Sequence, residues 1–138
     1  MLLDASVIVA LVDERNDLAG RAARDLKQLR QEPFGTTSNV LGEACFLLIE
    51  DYQRRRMRTL LDRLRVTIVE IPSTSWDSIF DWLERYEEHE PDLADAQLAV
   101  LCSREPWRLW TYDREFRTIW RRSNGSRIPL VGLAAAAK

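Results

Sequence analysis

Four acidic residues that lie far apart in the sequence could together hold a hard cation. Each of them follows an apolar segment or lies within one, and they are Asp4, Glu43, Asp95 and Asp113. Carboxylates that are brought close together repel one another, and a divalent cation with oxygen ligands relieves this repulsion. If the four segments meet in the fold, the sequence therefore predicts a magnesium or manganese site.

Other common catalytic sites find little support in the sequence. His89 is the only histidine, and it lies in the polar stretch Glu87-Glu88-His89-Glu90, which predicts an exposed loop. This position argues against a Ser-His-Asp triad and against a zinc site. The chain also has no Walker-type phosphate loop and no GxGxxG motif. An all-oxygen set without histidine is typical of Mg²⁺ or Mn²⁺.

The elements that must position these acids follow the pattern of a parallel α/β sheet. Short apolar runs alternate with longer amphipathic ones in a chain of 138 residues, and this predicts one α/β domain over residues 1–133 with a disordered tail at 134–138. About five strands are predicted, at residues 1–3, 35–37, 66–71, 109–112 and 128–131. Flanking helices are predicted at residues 17–30, 39–50, 53–65, 75–88 and 92–103, and a short one is predicted near Arg114.

This architecture would bring the acids to one edge of the sheet. Asp4 and Asp113 directly follow predicted strands, and ligands of open parallel sheets bind beyond the carboxyl ends of the strands. Glu43 and Asp95 are expected in the first turns of helices that start near the same edge. Each acid also has a structural alternative: an arginine partner for a buried acid, or, for Asp95, the helix dipole. Asp92 is explained by an N-cap alone, although it could support Asp95.

Net charge gives no general case for nucleic-acid binding, because the formal value is −2. The arginines are nevertheless clustered, and an arginine fork matches the geometry of a phosphate. One cluster spans residues 54–58 and a second spans residues 114–127, where Arg114 and Arg117 directly follow the last acid. Solvated helix faces paired with local acids explain such clusters equally well.

The expected location is the cytoplasm. No apolar run is long enough to span a bilayer, and the first residues lack the positive region of a secretory signal. Cys45 and Cys102 have no metal-type spacing, which predicts free thiols in a reducing compartment.

The ordered set of motifs resembles the PIN-domain family, and within it the VapC toxins of bacterial toxin–antitoxin pairs. The resemblance covers almost the whole chain. It rests on Leu3-Asp4-Ala5-Ser6, Thr37-Ser38 ahead of Glu43, Asp92-Leu93-Ala94-Asp95-Ala96, and Thr111-Tyr112-Asp113-Arg114-Glu115-Phe116. Each motif is weak alone, whereas their order in a domain of this size is specific.

The resemblance implies a small α/β endoribonuclease that needs Mg²⁺ or Mn²⁺ and is inhibited by a cognate antitoxin. The family's acidic quartet falls on Asp4, Glu43, Asp95 and Asp113, with Asp95 preferred to Asp92 because it directly precedes alanine. Ser6 and Thr111 match the hydroxyl positions beside the first and last acids. Arg114 and Arg117 are expected to contact RNA phosphates.

Partners are also predicted by an excess of apolar residues on the middle helices. These residues exceed what one face of each helix can bury, and they are Phe46, Leu47, Leu48, Trp76, Ile79, Phe80 and Trp82. We expect some of them to form a homodimer contact or a groove for an antitoxin helix.

Two other functions remain open at the level of sequence. One is a PIN-type nuclease in RNA or DNA processing, and the other is a catalytically silent domain that binds a partner. A dehalogenase-like phosphatase also begins with an aspartate after a strand, but Ser6 occupies the position where that class needs its second aspartate.

Overall fold

Five short parallel strands form the centre of the fold. The structure is a computed structural model that describes residues 1–133, so the tail predicted at 134–138 lies outside the described residues. The strands are β1 (Leu2–Leu3), β2 (Gly35–Thr36), β3 (Thr67–Ile68), β4 (Leu109–Trp110) and β5 (Leu130–Val131), in the order β3-β2-β1-β4-β5. All neighbouring pairs are parallel. The α/β class and the five-stranded parallel sheet are confirmed.

Seven helices connect and flank the strands. They are α1 (Ala5–Val12), α2 (Ala19–Leu29), α3 (Ser38–Leu47), α4 (Asp51–Arg63), α5 (Trp76–Arg85), α6 (Leu93–Arg104) and α7 (Glu115–Thr118). Six of them occupy the predicted segments, with ends shifted by a few residues. Helix α1 was not predicted, because its sequence is apolar on every side and contains four β-branched residues. Such a short run carries no helical periodicity, and burial rather than an amphipathic pattern determines its structure.

The core lies where the central strands pack against α1 and α6. Leu2, Leu3 and Leu109 are fully buried, and α6 buries eight of its twelve residues. Strand β1 lies between β2 and β4, so the chain leaves β1 at the middle of the sheet. The residue after β1 is Asp4, which therefore lies at the carboxyl end of a fully buried central strand.

Apolar side chains remain uncovered on α3, just beyond its C-terminal end, and on α5. Phe46 is 85% exposed, Ile49 78% and Phe80 58%, whereas Leu48, Ile79 and Trp82 are buried in the core. The predicted excess therefore divides into core residues and an exposed remainder. Among the described residues, no helix is both long and apolar enough to cross a membrane.

Candidate functional site

Asp4 is a buried carboxylate with three hydrogen-bond donors. It follows β1 directly, is 5% exposed and caps the N-terminus of α1 by accepting a hydrogen bond from the Ala5 backbone N–H at 2.8 Å. Its second oxygen, Oδ2, accepts hydrogen bonds from Thr111 Oγ1 at 2.7 Å and from Ser6 Oγ at 3.0 Å. The carboxylate is thus fixed in one orientation at the carboxyl edge of the sheet.

The same two hydroxyls hold the backbone that leads to Asp113. Because β1 and β4 are neighbours, Thr111 lies beside Asp4 at the end of β4. Ser6 Oγ accepts a hydrogen bond from the Tyr112 backbone N–H at 3.1 Å, and Thr111 Oγ1 accepts one from the Asp113 N–H at 3.0 Å. The first and last acids are therefore joined through two shared hydroxyl groups.

Asp92 and Asp95 form a reciprocal cap at the start of α6. Asp92 Oδ1 accepts a hydrogen bond from the Asp95 N–H at 2.8 Å, and Asp95 Oδ2 accepts one from the Asp92 N–H at 3.3 Å. Asp92 is the N-cap and is exposed, whereas Asp95 is half-buried. Both carboxylates belong to one helical turn, and the more buried one is Asp95.

Glu43 lies in the second turn of α3, one turn further along the helix than the sequence indicated. Thr37 caps this helix by accepting a hydrogen bond from the Val40 N–H at 3.2 Å. Helix α3 packs against α1, which follows Asp4, and against α6, which carries Asp95. Glu43 is half-buried at this junction.

The pKa values of Asp4 and Glu43 are raised by burial and by the charges of neighbouring carboxylates. Burial raises the pKa of Asp4 to about 6, although hydrogen bonds from Thr111, Ser6 and the Ala5 backbone oppose the increase and Asp113 adds to it. Burial also raises the pKa of Glu43 to about 7, with repulsion from Asp92, Asp4 and Asp113 adding to the increase.

The pKa of Asp95 is raised by burial first and then by repulsion from Asp92, Asp4 and Asp113. We use the name acidic cluster for the five residues whose charges act on one another in this way, which are Asp4, Glu43, Asp92, Asp95 and Asp113. The cluster therefore combines several negative charges at one edge of the sheet.

The donor set suits a hard cation, since every side-chain ligand it offers is an oxygen. In the part of the chain that the structure describes, no three acidic, histidine or cysteine side chains are already arranged as a ligand set. The charge of the cluster favours a cation, and the carboxylates other than Asp4 would have to turn toward an ion bound at Asp4.

The remaining predicted site residues lie around this edge. Arg114 precedes α7 and is exposed, and Arg117 lies within α7 and is half-buried. His89 is exposed on a short 3₁₀ turn, with its ring edge-on to Trp120 at 6.2 Å between centroids. The histidine is therefore outside the acidic cluster, as the sequence indicated.

Two features of the site were not anticipated from the sequence. One is that the Asp92 charge acts on Glu43, which is contributed by a different helix. The other is a hydrogen bond from the Tyr112 hydroxyl to Asp25 Oδ2 at 2.7 Å, which ties α2 to the end of β4. The only sequence signal for the second feature was a polar hydroxyl on a residue expected to be in a buried strand.

Comparisons with known proteins agree with this architecture. The family model described as PIN domain matches residues 1–120. None of the curated proteins compared with the chain matches it in sequence. Among solved structures, the VapC20 toxin of Mycobacterium tuberculosis, described as cleaving the sarcin-ricin loop, superimposes with a TM-score of 0.72 at 21% identity. The match covers 88% of this chain and 96% of VapC20.

A second solved structure is that of VapBC2 from Rickettsia felis bound to a DNA fragment from its promoter. Its matching chain superimposes with a TM-score of 0.65 at 13% identity, covering 94% of this chain and 96% of that one. At these levels of identity, the two structures show a shared fold.

Proposed function

The chain belongs to the PIN domain family, and we propose that it is a metal-dependent endoribonuclease that acts as the toxin of a toxin–antitoxin pair. The observation that carries this proposal is the acidic cluster at the carboxyl edge of the sheet. Three of its carboxylates, those of Asp4, Glu43 and Asp95, have raised pKa values, which is typical of residues at a functional site.

Asp4 and Asp95 would hold a Mg²⁺ or Mn²⁺ ion, and Glu43 and Asp113 would complete its ligands or hold a second ion. When bound, the cation lowers the pKa of a coordinated water and neutralises charge that develops on the scissile phosphate. Hydrolysis of an RNA phosphodiester bond is the reaction that this chemistry serves.

The protein's own groups orient the first acid and the substrate. Ser6 and Thr111 donate hydrogen bonds to Asp4 Oδ2, which leaves Asp4 little freedom to rotate away from the cluster. Arg114 and Arg117 follow Asp113 and would contact RNA phosphates next to the cleaved bond. Asp92 would support Asp95 through their reciprocal cap.

The toxin assignment is supported by the two similar structures, one of which is a toxin and the other a toxin–antitoxin complex. A cognate antitoxin is accordingly the proposed protein partner. The exposed residues Phe46, Ile49 and Phe80 would pair with a second copy of the chain or be covered by that antitoxin. The free thiols of Cys45 and Cys102 agree with a reducing, cytoplasmic location.

Two alternatives would use the same fold. A PIN-type nuclease could process RNA or DNA without an antitoxin, and a catalytically silent domain could only bind a partner. The raised pKa values of Asp4, Glu43 and Asp95 favour an active nuclease, because burying carboxylates that repel one another costs stability in a domain that only needs to fold and bind.

A cleavage assay with matched substrates tests the proposal. Purified protein is incubated with end-labelled single-stranded RNA and with DNA of the same sequence, in Mg²⁺, in Mn²⁺ and in EDTA. We expect cleavage of RNA that requires a cation and is lost in EDTA. Cleavage of DNA at an equal rate would favour the processing alternative, and no cleavage of any cellular RNA would favour the silent domain.

A further inference from the structure

Tyr112 connects the acidic cluster to helix α2, which contributes no acid to it. The hydroxyl of Tyr112 donates a hydrogen bond to Asp25 Oδ2 at 2.7 Å and accepts one from Trp110 Nε1 at 3.3 Å. Tyr112 is 8% exposed, and Asp25 lies near the middle of α2. Because the hydroxyl both donates and accepts, its orientation is defined from two sides.

The Arg21 side chain and the end of β5 complete this attachment. The Arg21 guanidinium lies 5.0 Å from the centre of the Tyr112 ring and 4.0 Å from Asp25 Oδ2. Arg21 also donates a hydrogen bond to the carbonyl oxygen of Gly132, just beyond β5. Gly132 has φ +95° and lies so close to Trp110 that a Cβ would come within 2.7 Å of the indole. Helix α2, the Tyr112 ring and the end of β5 are therefore packed as one unit.

The backbone of Tyr112 belongs to the acidic site. Its N–H donates to Ser6 Oγ, and Ser6 in turn donates to Asp4 Oδ2. The next residue is Asp113, whose N–H donates to Thr111 Oγ1, the other hydroxyl that holds Asp4. Any shift of the Tyr112 backbone would therefore change both hydroxyl contacts of Asp4 and the position of Asp113.

We infer that Tyr112 and Asp25 are positioning residues for the acidic cluster. The hydrogen bond between them anchors the exit of β4 to α2, and this anchor sets the spacing between Asp4 and Asp113. A phenyl ring would fill the same space as the Tyr112 ring, so packing alone does not require the hydroxyl. This inference rests on the proposed function only in its consequence for cation binding, since the backbone anchor exists without a cation.

The anchor is tested first in the cation-free protein. Amide hydrogen exchange followed by NMR is compared for wild type, Tyr112→Phe, Asp25→Ala and Asp25→Asn. We expect the amides of Tyr112 and Asp113 to exchange about tenfold faster in Tyr112→Phe and Asp25→Ala, because local opening becomes easier. Asp25→Asn retains an acceptor oxygen and should restore exchange to within about twofold of wild type.

Two controls separate a local anchor from a general loss of stability. The amide of Leu3 in β1 should exchange at the wild-type rate, because it does not depend on the Tyr112 hydroxyl. Tyr86→Phe removes a hydroxyl from a ring that packs between Trp82 and Trp120, at centroid distances of 4.7 Å and 5.4 Å, and should leave Tyr112 and Asp113 unchanged.

The consequence for the site is measured by titrating Mn²⁺ into the same variants with calorimetry. Loss of groups that hold metal ligands in place commonly weakens binding by about 10–100-fold. Since Tyr112 acts through Ser6 and the backbone, we expect Tyr112→Phe and Asp25→Ala to weaken Mn²⁺ binding by roughly five- to tenfold. The double variant should lose no more than either single variant, because both remove the same hydrogen bond.

The two parts of the experiment fail in different ways. Unchanged exchange at Tyr112 and Asp113 in both Tyr112→Phe and Asp25→Ala would overturn the positioning role, whatever the protein does with Mn²⁺. Faster exchange together with wild-type Mn²⁺ affinity would overturn the link between the anchor and the cation site. If wild type itself bound no Mn²⁺ while the exchange differences were present, the proposed function would fail and the backbone anchor would stand.

Discussion

Asp4 accepts three hydrogen bonds, yet its pKa is still raised to about 6, because its burial outweighs them. A carboxylate in this environment is held in place at a cost in stability, and a bound cation would offset that cost. Glu43 and Asp95 are in the same situation, with repulsion from neighbouring acids added to burial. The cost is thus distributed over residues from three different helices or loops.

The first prediction concerns pH. The folded, cation-free protein retains protons on Asp4 and Glu43 that the unfolded chain releases near their ordinary pKa values of 3.8 and 4.5. Stability from these groups therefore falls as pH rises from about 4 to about 7. For Asp4, the increase to about 6 corresponds to roughly 3 kcal/mol of unfolding free energy at high pH.

A cation should restore this stability where the acids are ionised. We expect Mg²⁺ to raise the free energy of unfolding more at pH 8 than at pH 5, because protons compete with the cation at the lower pH. Urea unfolding in EDTA and in Mg²⁺ at both pH values measures the difference. An equal gain at the two pH values would mean that the cation does not bind these carboxylates.

The second prediction separates Asp92 from Asp95. Asparagine is a good N-cap, so Asp92→Asn should preserve the start of α6 and most of the cleavage rate. Asp95→Asn removes a half-buried carboxylate that we propose as a cation ligand, and it should lower the rate by at least a hundredfold. Single-turnover cleavage of RNA by the two variants provides the comparison. Equal losses would show that Asp92 is a ligand as well.

Most of the strands and helices could be predicted from the sequence. Val66 to Ile71 is β-branched and ends before Pro72, and the run before Asp113 is similarly apolar, so both strands were identified. Helix α1 could not be identified, because its sequence lacks a polar face and only the surrounding core determines its structure. Glu43 was expected in the first turn of its helix, whereas α3 begins at Ser38 after the Thr37 cap and Glu43 lies in its second turn.

The proximity of Asp4 and Asp113 was predictable from their positions after strands, whereas the hydroxyl groups that join them were not. The pairing of β1 with β4 brings Asp4 beside Thr111, and this follows from a strand order that no local sequence pattern encodes. The contact between Tyr112 and Asp25 joins residues 87 positions apart and depends on how α2 packs. Long-range packing of this kind leaves no signal in sequence periodicity.

The third prediction is about the cap of α3, the helix that carries Glu43. Thr37→Ala removes the acceptor for the Val40 N–H and should lower the free energy of unfolding by about 1 kcal/mol. Thr37→Ser retains the cap and should retain most of the wild-type free energy of unfolding. Thr59→Ala, at an exposed position within α4, is the control and should cause no loss, because alanine favours helix. Urea unfolding measures all three variants, and a neutral Thr37→Ala would contradict the role of the cap.

The exposed surface at the C-terminal end of α3 is poor in charge and rich in apolar side chains. Glu43 is the only charged residue between Ser38 and Ile49, although 30% of the chain is charged. Phe46 and Ile49 are both more than three-quarters exposed. Depletion of charge around exposed apolar side chains is typical of the centre of a protein interface.

The fourth prediction follows for the oligomeric state. We expect the purified protein to be a dimer, and Phe46→Asp to weaken the dimer by at least tenfold by placing a charge at the contact. Ile68→Asp, at an exposed position on β3, is the matched control and should leave the dimer intact. Sedimentation at several protein concentrations measures both. A monomeric wild type would contradict the dimer, and the antitoxin would then be the partner proposed to cover this surface.

Cleavage of RNA by the acidic cluster is tested most directly by Asp4→Asn. This substitution removes a buried charge but replaces one accepting oxygen by an amide that donates, so urea unfolding in EDTA is used to verify that the variant is folded. Asp62→Asn, at an exposed position on α4, is the control for the loss of one carboxylate. Cleavage of end-labelled RNA in Mg²⁺ is measured for the three proteins. We predict that wild type and Asp62→Asn cleave equally and that folded Asp4→Asn is at least a hundredfold slower. Full activity of folded Asp4→Asn would contradict the assignment of this site.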